Sequence, residues 1–105
     1  MEIPEIDVVE AKRRFDADEA VFVDVRDPDA FRRGHVPGAL NVLDHNVADF
    51  VATADKTRAV VVYCYHGNSS LGGTAYFLRA GFEDVVSMKG GFEAWRPRYE
   101  AESGA

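Results

Sequence analysis

Cys64 is the only cysteine of the chain, and it stands where an apolar run meets a small polar loop. Ala59, Val60, Val61, Val62 and Tyr63 lead into it; Tyr65, His66, Gly67, Asn68, Ser69 and Ser70 follow, and Leu71 then opens a stretch of helical period. A thiol at a strand-to-helix turn sits where backbone N–H groups converge. Those groups favour the thiolate, and the thiolate is the nucleophile. Gly67 admits a positive φ or a close backbone approach, so the loop can curl around a ligand. Asn68, Ser69 and Ser70 are small, and Ser69 or Ser70 suits the N-cap of the next helix. Such a loop can aim several N–H groups at one point, forming an anion nest.

A lone cysteine beside valines is most often a small buried hydrophobe. Here the cysteine comes after the apolar run and not within it, and the residues that follow are turn formers. No side chain of the loop is an evident general base. His66 is two residues away, placed to contact Cys64, to polarise a substrate or to face solvent; spacing alone does not choose, because catalytic partners are defined by geometry. With no second cysteine and no helical pair of histidines, no metal or other cofactor is expected. His45 has no pattern around it and reads as a surface residue.

The elements that must position the loop are short. Residues 3–6 suit a first strand, and Val8, Val9, Ala11 and Phe15 then recur at helical spacing behind Asp7, a capping residue. Residues 21–25 form a second strand that ends at Asp27-Pro28, with Pro28 in the first turn of a short helix. Gly34-His35-Val36-Pro37-Gly38 is a turn cluster, residues 39–42 are extended, and a helix is predicted over 44–53. Ala59–Tyr63 is the central strand. A helix over 74–80 closes at Gly81. Val85–Met88 is a last strand, and Gly90-Gly91 precedes an amphipathic turn through Phe92 and Trp95. Strands separated by helices imply parallel β–α units with helices on both faces of one sheet. Ligands bind beyond the carboxyl ends of such strands, and Cys64 is at one of those ends.

The 105 residues, 47% of them hydrophobic, fit one globular domain. The small polar residues 101–105 are expected to fray, as are residues 1–4. One cysteine forms no internal disulfide, no apolar stretch approaches a bilayer span, and the first residues lack a signal-peptide pattern, so the expectation is a cytoplasmic protein away from the membrane. A formal charge of −6 argues against nucleic-acid binding, which wants a basic face. Any anion site must therefore be local.

Three blocks of the chain resemble the rhodanese (sulfurtransferase) family. Asp24-Val25-Arg26-Asp27-Pro28-Asp29-Ala30-Phe31 with Gly34-His35-Val36-Pro37-Gly38-Ala39-Leu40-Asn41 is similar to its N-terminal signature. Gly90-Gly91-Phe92-Glu93-Ala94-Trp95 is similar to its C-terminal one, and the Cys64–Ser70 loop resembles that of short single-domain bacterial members. The resemblance implies an α/β fold: a single domain with a twisted five-stranded parallel sheet and helices on both faces. It implies a thiosulfate sulfurtransferase in which Cys64 is catalytic and accepts a sulfane sulfur. The persulfide would lie in a loop made by Tyr65, His66, Gly67, Asn68, Ser69 and Ser70. Cyanide or a thiol, small or borne by a protein, would then take the sulfur.

Many family members carry an arginine at the position of Ser69, whereas this loop has no Lys or Arg. Arg26, Arg33 and Lys89 are the candidate cations from elsewhere. Asp24 with Arg26 reads as a structural ion pair, His35 as a turn lock and Trp95 as core or pocket wall. Two other functions stand beside sulfur transfer. One is a sulfur-relay module served by a protein donor with little thiosulfate turnover. The other is a cysteine phosphatase, whose longer loop would want an arginine where Ser70 stands.

Overall fold

Valines fill the central strand because both of its faces are covered. The computed structural model describes residues 2–104. Its elements are β1 (Glu5–Ile6), α1 (Val8–Asp16), β2 (Ala20–Asp24), α2 (Pro28–Arg33), β3 (Leu40–Asn41), α3 (Val47–Thr53), β4 (Ala59–Tyr63), α4 (Ser69–Arg79), β5 (Val85–Met88) and α5 (Gly91–Trp95). The five strands form one sheet in the order β1-β5-β4-β2-β3, with every pairing parallel. Alternate residues go to opposite faces. Phe22, Val61, Tyr63, Val86 and Met88 pack against Val8 and Ala11 of α1, Phe31 of α2 and Phe92 and Trp95 of α5. Val23, Val60, Val62 and Val85 pack with Phe77 of α4 and with Val47, Phe50 and Val51 of α3. No helix among the described residues is long and apolar enough to cross a membrane.

Several boundaries differ from the sequence expectation. The third helix begins at Val47, not at residue 44, because the Asn46 side chain organises a turn before it: Asn46 Oδ1 accepts from the Leu43 N–H at 2.7 Å, and its amide donates to Asn41 O at 3.0 Å. The fourth helix begins earlier than residue 74, at Ser69. The carboxyl-terminal residues expected to fray are tied down as far as Gly104. His35 and Glu102 exchange backbone bonds at 2.9 and 3.0 Å, the Gly38 N–H donates to Glu102 Oε1 at 2.7 Å, and Gly104 N–H reaches Arg32 O at 2.9 Å. His35 lies buried beneath this strap, stacked on Phe31, with Nδ1 2.7 Å from Phe31 O. It does lock the turn.

Asp24 and Arg26 form the buried ion pair at the end of β2. The Asp24 carboxylate accepts from the Arg26 backbone N–H at 2.8 Å, from Nε at 3.1 Å and from Nη2 at 2.7 Å. Nη2 donates again to Gly34 O at 2.6 Å, which holds the turn cluster against the strand end. The guanidinium carbon sits 4.4 Å from the centre of the Phe92 ring. Burial and the neighbouring Asp24 push the Tyr63 phenol up, so it stays neutral and accepts from the Val36 N–H at 3.0 Å. The first signature block is thus welded to the strand that carries Cys64.

The last block is welded to the loop itself. At the start of α5, Phe92 N–H donates to Cys64 O at 2.8 Å and Glu93 N–H to Tyr65 O at 3.0 Å. The approach is so close that a Cβ on Gly91 (φ +59°) would stand 2.4 Å from Cys64 O. No side chain fits there.

Two variants check these two joints. Arg26→Ala leaves Asp24 buried without its partner and should cost about 3–5 kcal/mol in urea unfolding; a loss below about 1 kcal/mol would contradict the joint. Gly91→Ala forces the loop and α5 apart and adds left-handed strain, so it should cost at least ~2 kcal/mol and lower Cys64 reactivity together. A variant with unchanged melting and reactivity would show that the close approach is not needed.

Candidate active site

The Cys64 sulfur is the point on which the loop converges. Gly67 N–H donates to Sγ at 3.1 Å and Ser70 N–H at 3.3 Å, and the Ser70 hydroxyl oxygen lies 3.4 Å away. Gly67 reaches this geometry with φ +94°, in the left-handed region that glycine favours. Ser70 belongs to the first turn of α4, so the sulfur takes one of the orphan amides of that helix. It does the work expected of a capping side chain. The residue at the cap position is Asn68, with no side-chain cap bond, and neither Ser69 nor Ser70 is the N-cap. Both lie inside the helix, and the Ser70 hydroxyl is turned toward the sulfur instead of its own helix end.

Burial pushes the Cys64 thiol up, but hydrogen bonding outweighs it and the net shift is downward. Of the groups that lower it, the Ser70 hydroxyl comes first, followed by the amides of Ser70, Gly67 and His66. Position at the amino end of α4 adds the favourable end of the helix dipole. The thiol is buried, so the charge it gains is screened weakly by solvent and strongly felt by these donors. The groups in contact with Sγ are amides and a hydroxyl, dipoles without a cation among them.

The other loop residues divide by where they point. His66 is exposed, and its ring lies 5.9 Å from that of Tyr65. Tyr65 is exposed, and the centre of its ring stands 5.0 Å from the Arg26 guanidinium carbon. It lines a shallow cleft of about 300 Å³ with Arg26, Arg33, Phe92 and Arg96. Asn68 is exposed as well. Ser69 is also exposed and borders a larger cleft of about 660 Å³ with Val25, Val42, Gly73 and Tyr76. Of the three candidate cations, Arg26 is committed to Asp24 and Gly34, Arg33 borders the smaller cleft, and Lys89 is exposed after β5. No cluster of metal-ligating side chains occurs among the described residues.

One residue of the site escaped the sequence reading. Ser87 on β5 is fully buried, and its Oγ lies 2.8 Å from Ser70 Oγ. A hydroxyl set inside the apolar run Val85-Val86-Ser87-Met88 was the available signal, since buried hydroxyls need a partner.

These features agree with what the chain is similar to. The family model for the rhodanese-like domain matches residues 7–98. Thiosulfate sulfurtransferase GlpE of Pseudomonas aeruginosa (strain LESB58) is 48% identical over 94 residues, covering 90% of this chain and 86% of that protein. The GlpE protein of Pseudomonas putida strain F1 (ATCC 700007) is 52% identical over 84 residues, covering 80% and 76%. Among solved structures, the Alr3790 protein from Anabaena sp. superposes with a TM-score of 0.84 at 26% identity, covering 94% of this chain and 82% of that one. The rhodanese-like domain protein from Staphylococcus aureus gives 0.84 at 23% identity over 98% and 100%, a likeness of fold. With its parallel sheet, its cysteine at a strand end and its amide-lined loop, the chain belongs to the rhodanese family.

Proposed function

We propose that this protein is a thiosulfate sulfurtransferase that works through a persulfide on Cys64. The observation that carries the reading is the ring of donors on Sγ, from Gly67 and Ser70, with no cation among them. Such a cradle suits a single diffuse negative charge on sulfur. In the first step the Cys64 thiolate attacks the outer sulfur of thiosulfate. A new S–S bond forms, the S–S bond of thiosulfate breaks, and sulfite leaves with the electron pair. The negative charge then resides on the terminal sulfur of Cys64–S–S⁻, within reach of the loop amides. In the second step cyanide or a thiol takes that terminal sulfur, and the Cys64 thiolate is restored. This is covalent catalysis in two halves.

The acceptor in the cell is a thiol, small or borne by a protein, and the surroundings are cytoplasmic, where a lone thiol stays reduced. A phosphatase reading fits less well. Its arginine would stand where Ser70 is, and the Ser70 side chain is already turned inward between Sγ and Ser87. The relatives named thiosulfate sulfurtransferase support the same substrate.

Steady-state thiocyanate formation tests the reading. Parallel double-reciprocal lines for thiosulfate and cyanide are expected, with Cys64→Ser folded yet inactive because a hydroxyl does not ionise as a thiol does. Turnover by pure Cys64→Ser would remove Cys64 from the chemistry. His66→Ala should lose less than about tenfold, since the amides of Gly67 and Ser70 that face the sulfur remain; a loss of ~100-fold or more is the size of a general-base effect and would assign the imidazole that role.

A further inference from the structure

Ser87 and Ser70 are both fully buried, and each hydroxyl has few places to send its proton. Ser87 comes from β5 and Ser70 from the first turn of α4, so the two reach each other across the sheet–helix boundary. The contacts run in series: Ser87 Oγ to Ser70 Oγ at 2.8 Å, then Ser70 Oγ to Cys64 Sγ at 3.4 Å. Thr74, the next hydroxyl along α4, is spent on Ser70 O at 2.8 Å and does not compete.

Counting protons gives the chain a direction. Two contacts use two protons. With Cys64 as a thiol, three protons are present, from S–H and the two hydroxyls, so one is left without a partner. With Cys64 as a thiolate, two remain and both are used. Ser87 then donates to Ser70, and Ser70 donates to the sulfur. The reverse direction would strand the Ser87 proton in a buried, apolar strand, which is costly. We propose that Ser87 is a positioning residue which, by donating to Ser70, aims the Ser70 proton at the Cys64 sulfur. Donation in series also polarises the second bond and strengthens it. The same arrangement persists after sulfur is loaded, because Sγ of a persulfide is again an acceptor without a proton.

This inference rests on the reading of Cys64 as a nucleophilic thiolate, but its test needs no sulfur donor. The rate of Cys64 alkylation by iodoacetamide, followed against pH, reports thiolate formation directly. A midpoint below the roughly 8.5 of free cysteine is expected for the native protein. Ser87→Ala should raise the midpoint by about half a unit, a roughly threefold slower alkylation at pH values below it. Ser70→Ala should raise it further, and the double variant should match Ser70→Ala alone, because Ser87 acts only through Ser70. An unchanged midpoint in Ser87→Ala, or full additivity in the double variant, overturns the proposal. Circular dichroism and thermal melting establish that each variant folds. Ser87→Thr and Ser87→Val give a second comparison at matched shape: a higher midpoint for the valine variant supports the relay, and equal midpoints overturn it. A failure of thiosulfate turnover with the predicted midpoints intact would strike the donor assignment and leave the relay standing.

Discussion

Everything at this site depends on where two carbonyl groups point. A loop whose N–H groups face inward must send its carbonyls outward, and buried carbonyls need donors. Here the first amides of α5 supply them, holding Cys64 O and Tyr65 O away from the loop centre. That demand explains the glycines before Phe92 better than flexibility does. The two backbones approach too closely for any Cβ at Gly91. Parallel pairing of β4 with β5 brings the two segments side by side, since Val60, Val61 and Val62 register with Val85, Val86 and Ser87. The loop is therefore a joint product of strand order and backbone hydrogen bonding.

The electrostatic problem is solved locally. A chain of net charge −6 offers little long-range attraction to an anion, and screening limits what remains to about 8 Å at physiological salt. Fixed dipoles at hydrogen-bond distance need no such reach. Arg26 does not contribute its charge to the sulfur, for it is held by Asp24, Gly34 O and the face of Phe92. Its role is to fasten the turn cluster and α5 to the strand end beneath the loop. The three sequence blocks that resemble family signatures thus meet in space: one supplies the fastening, one the thiol and one the carbonyl clamp.

Much of this was legible in the sequence because it is written in local patterns. The valine run ending at Cys64, the punctuation of Gly67 and the order of strands and helices follow from periodicity and turn chemistry. What was not legible depends on contacts between distant segments. Ser69 and Ser70 looked like helix caps, yet Cys64 Sγ takes the Ser70 amide and frees its hydroxyl for another use. Ser87 is distant in sequence from Ser70, and only the pairing of β5 with β4 sets it opposite α4. Residues 101–104 looked like a polar tail, but Glu102 pairs with His35, a partner no local rule could name. Of His66, sequence could not say that it is exposed while the amides of Gly67 and Ser70 face the sulfur.

The proposed chemistry depends on a sulfur anion held at Cys64 by loop amides, so the most direct test is to load that sulfur. Intact mass spectrometry of the reduced protein before and after thiosulfate, with peptide fragmentation to locate the change, reads it in one step. A gain of one sulfur atom, on Cys64 and absent from Cys64→Ser, is the predicted result. Unchanged mass in protein that turns thiosulfate over, or sulfur carried on any other residue, would contradict it.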